Sequence, residues 1–485
     1  MKRITAIVLA LVALVVAILI VRAATLRSRQ ITASPAPPLA IDRNAALARF
    51  SRAVQFQTVS YGEVKSAKPV EHEAFIAWLA QAYPRVHASL QREVIGRSLL
   101  FTWRGSDPSL APLLLMGHYD VVPVEPGTES KWQRPPFSGA VADGFVWGRG
   151  TLDDKVSVIG LLESAESLLS EGFAPKRTIL FAFGEDEELG GVRGAARISA
   201  LLASRGVHLD FVVDEGGAIL RDPPGGVPKP AALIGIAEKG MASLELTARG
   251  AGGHSSMPPP RTEVGAVAAA VDRVQTHPFD AAARGAAAEM FRWLAPEMPF
   301  GNRLVIANLW LFAPLLQAQA RSSPSLNALL RTTIAPTIIE GGVKDNVIPS
   351  HARAVVNFRI LPGESVAGVL RHVREVVGDP HVEVRVYGKP WEPSGVSDPN
   401  AAPFRAMQQA AAEVFPNTVV APYLVIGATD SRYFASLTPN VYRLVPVTIA
   451  QADLERIHGT NERVAVEAYF DTIRFFRQLM KNRAA

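Results

Sequence analysis

The chain has 485 residues, of which 48% are hydrophobic and 20% charged, as in an ordinary globular protein of about two to three domains. It contains no cysteine, which excludes disulfides and thiolate metal sites. The net charge of +5 arises from five basic residues ahead of Asp42, and the rest of the chain has 45 basic and 45 acidic residues. A broad nucleic-acid-binding face is therefore not expected.

The chain begins with an apolar segment that predicts a membrane anchor. Residues Ile4 to Val21 form an apolar run, interrupted only by Thr5, behind Lys2 and Arg3. As a helix this run would be about 27 Å long, close to the thickness of a bilayer core. It is longer than the apolar region of a cleaved signal peptide, about 7–15 residues, and lacks a clean A-x-A site. We therefore predict an anchor over residues 1–22 with the body outside the cytoplasm; cleavage would instead give a secreted protein.

Beyond a stiff, Pro-rich linker over residues 23–44, helical and strand-like segments alternate. The predicted elements are a helix at 71–82, strands at 99–103 and 113–116, a helix at 156–170, and strands at 178–183 and 211–213. This alternation indicates an α/β catalytic domain with a mostly parallel, buried sheet flanked by helices. Its first part is assigned to residues 45–239.

A second pattern predicts an inserted α+β domain over residues 240–390. Its predicted elements are strands at 241–248, 304–307, 309–312, 353–360 and 381–387, and helices at 264–274 and 365–377. Helices packed on one face of an antiparallel sheet make an α+β unit. The α/β pattern resumes at residue 391 and continues to 485, so the second domain interrupts the first.

Five short stretches rich in acidic residues and histidine follow apolar segments. They are Met116–Asp120, Gly148–Lys155, Gly184–Glu188, Val213–Gly217 and Ile457–Gly459. Charged side chains at the ends of apolar strands are costly to bury without a partner. In open α/β sheets, ligands bind outside the carboxyl ends of the strands. A pair of divalent metal ions would be a natural partner, so the set predicts a metallohydrolase.

Each stretch also has a purely structural interpretation. His118 alone would be a satisfied polar group at a strand end. Asp154 suits the N-cap of a helix, which does not exclude Asp153 as a metal ligand. Glu185 and Asp186 suit the solvated start of a helix, where acids face the positive end of the dipole. Each of these interpretations explains one stretch, but none explains why all five stretches occur in the same chain.

The stretches resemble the co-catalytic zinc peptidase family that contains aminoacylase, glutamate carboxypeptidase and succinyl-diaminopimelate desuccinylase. Asp214–Gly217 and Gly427–Arg432 are most similar to the branch with carboxypeptidase S and the N-fatty-acyl-amino-acid hydrolases. The resemblance extends from about Ala45 to Met480. It implies an α/β catalytic domain interrupted by an inserted α+β lid and dimerisation domain.

The resemblance implies two divalent metal ions, with zinc preferred over manganese or cobalt as the bound metal. The implied ligands are His118, Asp153, Glu188, Asp214 or Glu215, and His458. Asp153 would bridge both ions, and the Asp153–Asp154 peptide would be cis. Branches of the family differ over which of the two neighbouring acids completes the His118 side, and we prefer Asp214.

The resemblance also assigns catalytic and substrate-binding roles. Glu187 would be the general base, and Asp120 would orient His118, as carboxylates commonly do for metal-bound imidazoles. His254 would reach a neighbouring active site and donate to the oxyanion, an interaction worth about 2.7–4 kcal/mol. This role predicts a homodimer. The expected substrate-binding residues are Asn346, Arg359 and Arg432.

The predicted function is two-metal-dependent hydrolysis of the amide bond in short peptides or N-acyl amino acids with a free carboxylate. One alternative is an N-acyl amino acid synthase/hydrolase that acts on fatty-acyl amides. Another is a catalytically silent binding protein on the same fold. Loss of a metal ligand or of the base would indicate the silent protein, and the sequence retains all of them.

Overall fold

The computed structural model describes residues 1–62 and 69–485. The first part of the chain alternates helices and strands, as predicted. Its elements are α1 (Lys2–Ala24), α2 (Arg43–Gln55), α3 (Pro69–Ala82), α4 (Pro84–Ser89), β1 (Gln91–Ile95), β2 (Ser98–Trp103), β3 (Leu113–His118), β4 (Ala140–Ala142), β5 (Phe145–Trp147), α5 (Lys155–Ser170), β6 (Ile179–Gly184), α6 (Ala195–Ser204), β7 (Phe211–Asp214), β8 (Ala218–Leu220) and β9 (Ala231–Glu238).

The remaining elements build a second sheet and then return to the first. They are β10 (Gly240–Arg249), β11 (Gly253–His254), α7 (Glu263–Thr276), α8 (Gly285–Leu294), α9 (Phe300–Ala307), α10 (Leu309–Ser322), α11 (Pro324–Leu330), β12 (Thr333–Gly341), β13 (Val347–Ile348), β14 (His351–Ile360), α12 (Val366–Val377), β15 (Val382–Trp391), α13 (Ala402–Val414), β16 (Val419–Val425), β17 (Val441–Arg443), β18 (Thr448–Ile449), β19 (Arg463–Ala465) and α14 (Val466–Ala484).

The central sheet is mostly parallel and is covered on both faces. Its strand order is β1-β2-β6-β3-β7-β17-β9-β8-β18, and β16 pairs with β9. Along β3, Leu113 and Leu115 face the core that contains α5, whereas Leu114 and Met116 face the core that contains α6. A strand buried on both faces needs an unbroken apolar run, which is what β3 and β6 have.

A separate antiparallel sheet with the order β12-β14-β10-β15 carries α7 and α12 and has a core of its own. Apart from Trp391, it lies within the interval assigned to the inserted domain, whose limits of 240–390 remain a prediction. Helices α8 to α11 fall in the same interval, but Met290, Leu294 and Leu330 belong to the core of the central sheet. The inserted segment therefore contributes to both cores.

The strands predicted at 304–307 and 309–312 are wrong, because both segments are helical, in α9 and α10. Apolar runs of about four residues fit a strand and a buried helix equally well. The residues that follow favour a helix, since Leu315, Leu316 and Gln317 have high helix propensity. Asn308 separates the two helices and divides one apolar segment into the two runs that suggested strands.

The N-terminal helix α1 is long and apolar enough to cross a membrane, judged by its length and composition. The extended segment that follows it, residues 25–42, lies against the body. The Gln30 side chain donates to the Val420 carbonyl at 2.9 Å and accepts from the Val420 N–H at 2.8 Å. The Ala36 N–H donates to the Glu413 carbonyl at 2.7 Å. The segment is extended, as its prolines predict, but it does not stand free of the body.

Candidate metal centre

The central sheet brings three of the five acidic or histidine-bearing stretches to one edge. β3 ends at His118, which is in register with Gly184 at the end of the parallel strand β6. β7 runs parallel to β3 on its other side and ends at Asp214. Because the carboxyl ends of parallel strands meet at one edge, the residues after β6 and β7 lie on either side of His118.

Asp153 lies between the two predicted histidines. Its Oδ1 is 2.9 Å from His118 Nε2, and its Oδ2 is 2.9 Å from His458 Nε2. Glu188 Oε1 lies 3.2 Å from His458 Nε2, and Glu215 Oε1 lies 3.8 Å from His118 Nε2. Each oxygen of one carboxylate therefore faces a different imidazole, and each imidazole has a further acid beside it. This is the arrangement that a pair of bridged metal ions requires.

These side chains fit a metal centre by their chemistry. Ligand atoms of His118, Glu187 and Glu215 lie within 4.8 Å of one another, as do those of His118, Asp153 and Glu188. Burial raises the pKa of Glu187 and Glu215, and neighbouring carboxylates raise it further. So many acids in one buried volume need cations to remain ionised. Imidazole and carboxylate donors without thiolate suit zinc, manganese or cobalt.

Without metal ions, the protonated imidazoles of His118 and His458 supply the positive charge that compensates the carboxylates of the cluster. Hydrogen bonds to Asp153 and Glu188 raise the pKa of His458 to about 10. Burial opposes the charging of His118, but hydrogen bonds to Asp120 and Asp153 outweigh it and raise the pKa of His118. Burial likewise opposes ionisation of Asp153, yet its hydrogen bonds to both imidazoles lower its pKa. Metal ions would replace these protons at the same nitrogens.

Asp120 connects His118 to the turn that carries the predicted base. Its Oδ1 accepts from the Glu187 N–H at 3.2 Å, and its Oδ2 accepts from the Glu188 N–H at 3.3 Å. His118 Nδ1 lies 3.0 Å from the Asp120 carbonyl and 3.3 Å from Asp120 Oδ1. The Ser60 hydroxyl, which the sequence analysis did not single out, donates to Asp120 Oδ2 at 2.6 Å. These contacts leave Nε2 of His118 directed at Asp153.

A buried ion pair that the sequence analysis also missed fixes the other imidazole. Arg149 Nη1 lies 2.7 Å from Glu462 Oε2, and Arg149 Nη2 donates to the His458 carbonyl at 3.1 Å. Glu462 Oε1 accepts from the Leu152 N–H at 2.8 Å and from the Asp153 N–H at 3.3 Å. The pair thus joins the loop of Asp153 to the loop of His458. Arg149 lies within one of the recognised stretches, but no spacing in the sequence marks Glu462 as its partner.

The structure favours Glu215 over Asp214 beside His118, against the preference stated from the sequence. Asp214 is buried, and its Oδ2 accepts from the Ser431 N–H at 2.7 Å. Asp214 thus holds the loop that follows β16, whereas the next residue reaches the imidazole. Adjacent residues at the end of a strand point in different directions, so one residue of register decides which acid lies beside the imidazole.

The structural interpretations of three other acids need correction. Asp154 stands at the N-cap position of α5, but its carboxylate accepts from the Ser157 hydroxyl at 2.5 Å and makes no backbone capping bond. Glu185 and Asp186 are buried instead of solvated. Glu185 pairs with Arg97 at 3.2 Å, and Asp186 accepts from the Gly194 N–H at 2.9 Å. The Asp153–Asp154 peptide is cis, as the resemblance implies.

Two predicted residues lie together on an exposed two-stranded ribbon outside the cluster. His254 on β11 pairs with Val347 on β13, and the Ser255 N–H donates to the Asn346 carbonyl at 3.2 Å. His254 Nδ1 accepts from the Ser256 N–H at 3.1 Å. Within the described residues, no hydrogen bond or ion pair joins His254 or Asn346 to the acids of the cluster.

The two predicted arginines occupy different places. Arg432 lies beside the turn of the predicted base, where Nη2 donates to the Gly190 carbonyl at 2.6 Å and Nη1 to the Thr429 carbonyl at 3.0 Å. Its guanidinium also lies 5.2 Å from the Trp391 ring centroid. Arg359 is on β14 in the second sheet, and burial lowers its pKa.

A cavity of about 430 Å³ opens beside the cluster at Asp153 and Glu215. Its other walls are mostly apolar. They include Leu152, Ala218, Leu220, Leu233, Tyr423, Val425, Ile426, Val445, Val447, Ile449, Leu454 and Ile457. β8, β9 and β16 supply part of this wall. A cavity of this size takes a small-molecule group, and its lining suits a hydrocarbon chain.

Comparisons with known proteins agree with this geometry. The family model described as Peptidase family M20/M25/M40 matches residues 114–482. The Homo sapiens protein "N-fatty-acyl-amino acid synthase/hydrolase PM20D1" is 44% identical over 437 residues, which cover 89% of this chain and 86% of that protein. The Dictyostelium discoideum protein "Probable carboxypeptidase S-like 2" is 40% identical over 439 residues, covering 90% of this chain and 84% of that one.

A solved structure shares the fold. The M20 family metallo-carboxypeptidase Sso-CP2 from Sulfolobus solfataricus matches with a TM-score of 0.66 at 18% identity. The match covers 90% of this chain and 98% of that chain. At this identity the likeness concerns the arrangement of helices and strands alone.

Proposed function

This chain belongs to peptidase family M20/M25/M40 and is a metal-dependent amidohydrolase, and we propose that it uses two zinc ions to hydrolyse N-acyl amino acids with an apolar acyl group. The observation that carries the proposal is the apolar cavity beside the carboxylate shared by two imidazoles. Short peptides with a free carboxylate are the second substrate class, since relatives include a probable carboxypeptidase S-like protein.

We assign the metal ligands from the distances in the cluster. His118 and Glu215 would hold one ion, His458 and Glu188 the other, and Asp153 would bridge them. When bound, two such ions polarise the amide carbonyl and lower the pKa of water towards about 7. The remaining chemistry is assigned to protein side chains.

Glu187 is the proposed general base. It lies in the turn after β6, with its backbone N–H held by Asp120. Its carboxylate would take a proton from the attacking water and deliver it to the leaving nitrogen. Burial raises the pKa of Glu187, which strengthens its ionised form as a base. Asp120 would keep His118 and this turn in a fixed relation during both transfers.

The free carboxylate of the substrate would be recognised by cationic and amide side chains. Arg432 is the nearest such candidate to the base, because it donates to the carbonyl of Gly190, just beyond the base's turn. Asn346 and Arg359 remain proposals from the family resemblance, as does His254 as an oxyanion donor. His254 would act on the centre of a second copy, so we propose a homodimer, which light scattering of the active enzyme would test.

The acyl preference can be tested with matched substrates. Each buried methylene contributes about 0.8 kcal/mol, so N-oleoyl amino acids should exceed N-acetyl amino acids in kcat/KM by more than about tenfold. Ala218→Phe would narrow the cavity and should abolish this difference while N-acetyl turnover persists. An equal loss of kcat/KM on both substrates would show that this cavity does not bind the acyl group. Metal analysis should find about two zinc ions per chain, and chelation should stop turnover.

We also propose that α1 is an uncleaved anchor that leaves the catalytic body outside the cytoplasm. The support is its apolar run and its position near the N-terminus. Protease protection of the body in sealed membrane vesicles tests the orientation, and N-terminal sequencing of the mature protein tests cleavage.

A further inference from the structure

Helix α10 has an apolar face that lies open on the surface. Trp310 is 61% exposed, Leu311 43% and Leu315 55%. Leu311 and Leu315 are four residues apart and lie one above the other, and Trp310 lies about 100° around the helix from Leu311. The helix also buries Leu316 and Ala320 in the core of the central sheet. A helix that is apolar toward the core and apolar toward the outside is typical of contact with a second apolar medium.

The junction between α9 and α10 is attached to the N-terminal helix. Asn308 Nδ2 donates to the Leu19 carbonyl of α1 at 3.1 Å. Arg22 donates from Nη2 to the Ala307 carbonyl at 3.2 Å. Leu19 and Ala23 are the buried residues of α1. The helix pair is therefore fixed at a defined height along α1, near its C-terminal end.

That height coincides with the edge of a bilayer if α1 spans one. The apolar run from Ile4 to Val21 is about 27 Å long, and a bilayer core is about 30 Å thick. The whole run is needed to cross, so Leu19, two residues before its end, must lie at the hydrocarbon boundary. Asn308 is bonded to the carbonyl of Leu19, so α10 leaves α1 at this same boundary.

We propose that α9 and α10 form a second membrane contact, with Trp310, Leu311 and Leu315 inserted at the lipid surface, a proposal that rests on α1 being the membrane anchor. Tryptophan is enriched at this depth, because its ring has an apolar body and a polar edge. Phe300 at the start of α9 is 49% exposed and adds an aromatic side chain to the same helix pair. A bilayer is favoured over a second protein copy as the occupant, because the junction of this helix pair is bonded to a helix long and apolar enough to span a bilayer.

This contact would fix the orientation of the catalytic body relative to the membrane surface. Asn302 of α9 donates to the Gly225 carbonyl at 2.9 Å, in the loop that follows β8. β8 contributes Ala218 and Leu220 to the wall of the apolar cavity. A helix pair held in the interface is thus joined by one loop to the proposed acyl site.

The absence of cysteine permits a direct test with single labels. The full chain in phosphatidylcholine vesicles would carry one nitroxide at Leu315→Cys. Val343→Cys, on a side chain 95% exposed in the second sheet's loop, is the matched aqueous control. Leu11→Cys, in the middle of α1, is the lipid reference. Collision of the label with oxygen and with a water-soluble nickel chelate reports its depth.

The label at residue 315 should favour oxygen over the nickel chelate by several-fold relative to residue 343, but less strongly than the label at residue 11, because it lies at the lipid surface and not at the bilayer centre. A label as accessible to nickel as the one at residue 343 would overturn the proposal. So would exclusion of both reagents with spin–spin broadening, because that marks a second copy. A label at residue 11 in water would overturn it together with the anchor. Turnover of a soluble N-acetyl substrate should stay unchanged in all three variants, which separates this result from the proposed function.

Discussion

The two halves of the candidate metal centre are built in different ways. His118 is 1% exposed, stands at the end of a buried parallel strand, and contacts Asp120 through its second ring nitrogen. His458 has a side chain that is 51% exposed and lies in a loop, with a backbone φ of 59°. The first half takes its geometry from the register of the sheet. The second half takes it from side chains that bind a loop.

This difference shows what a loop needs in order to hold a ligand as firmly as a strand does. Strand β3 is fixed by ladders to β6 and β7 on both sides. The loop of His458 is instead fixed by Arg149, which donates to the carbonyls of His458 and Gly459, and by Glu462, which pairs with that arginine. A single buried ion pair thus fixes the backbone around His458, as the sheet fixes the backbone around His118.

The largest expected effect comes from Glu187, the proposed general base. Glu187→Gln should lower kcat by about 10²–10⁴-fold, because proton transfer is lost while the metal ligands stay in place. Metal content, measured by mass spectrometry, should be unchanged. Glu185→Gln makes the same chemical change in a residue paired with Arg97 and should retain most activity. Equal losses in both variants would show that the turn as a whole, and not the base, limits the reaction.

The role of the ion pair in the half that contains His458 is tested by removing the carboxylate of Glu462. Glu462→Gln leaves Arg149 buried without its carboxylate and should lower the free energy of unfolding by about 3–5 kcal/mol in urea titrations. It should also weaken metal binding, since Glu462 accepts from the Asp153 N–H.

The control for this pair is Glu163→Gln, which removes a buried carboxylate paired at 2.6 Å with the partly buried Arg49, outside the cluster. That variant should lose stability and keep its metal affinity. If both variants lose metal equally, the effect of Glu462 is general destabilisation.

The strand half is tested at Asp120. Asp120→Asn should weaken metal binding by about 10–100-fold, the usual effect of removing a carboxylate that orients a ligating histidine. This factor should be smaller than the loss of kcat in Glu187→Gln, because the sheet register still holds the His118 backbone in place. Competition with a fluorescent chelator measures the affinity. An unchanged dissociation constant would mean that β3 alone positions the imidazole.

The smallest effect concerns the metal-free protein and pH. The pKa of His458 is raised to about 10 by Asp153 and Glu188, so its charged form stabilises the fold below about pH 6.5 and this contribution is lost as the pH rises through about 10. Because the imidazole is half exposed, the change in Tm should be small. His458→Asn should flatten this part of the pH profile in chelator-treated protein. A steeper profile in the variant would contradict the assignment.

The sequence predicts the strand half well and the loop half only in part. Two apolar runs are identified as buried strands by their length and composition, and they lead into His118, Glu187 and Glu188. The carboxyl ends of neighbouring parallel strands lie at the same edge of the sheet, so these residues are expected to meet. Glu462 has no such marker, because its partner Arg149 is more than three hundred residues away in the chain. The choice between Asp214 and Glu215 depends on one residue of register, which composition does not encode.

The helices α9 and α10 were predicted as strands for a related reason. Short apolar runs carry no period, and the side chains that would distinguish an outer face from a core face are apolar on both. A sequence pattern that identifies the buried face of a helix by its lack of polar residues therefore fails when the exposed face is apolar as well.

The segment that follows α1 has a consequence for strand β16. β16 pairs with β9, and the Gln30 side chain occupies both backbone hydrogen-bonding groups of Val420, the way a neighbouring strand would. An uncovered strand edge invites pairing with other chains. A chain cut back to Ala40 would lose Gln30, and its β16 edge would become a site of self-association. The segment after α1 thus covers a strand edge that would otherwise be open to pairing with other chains.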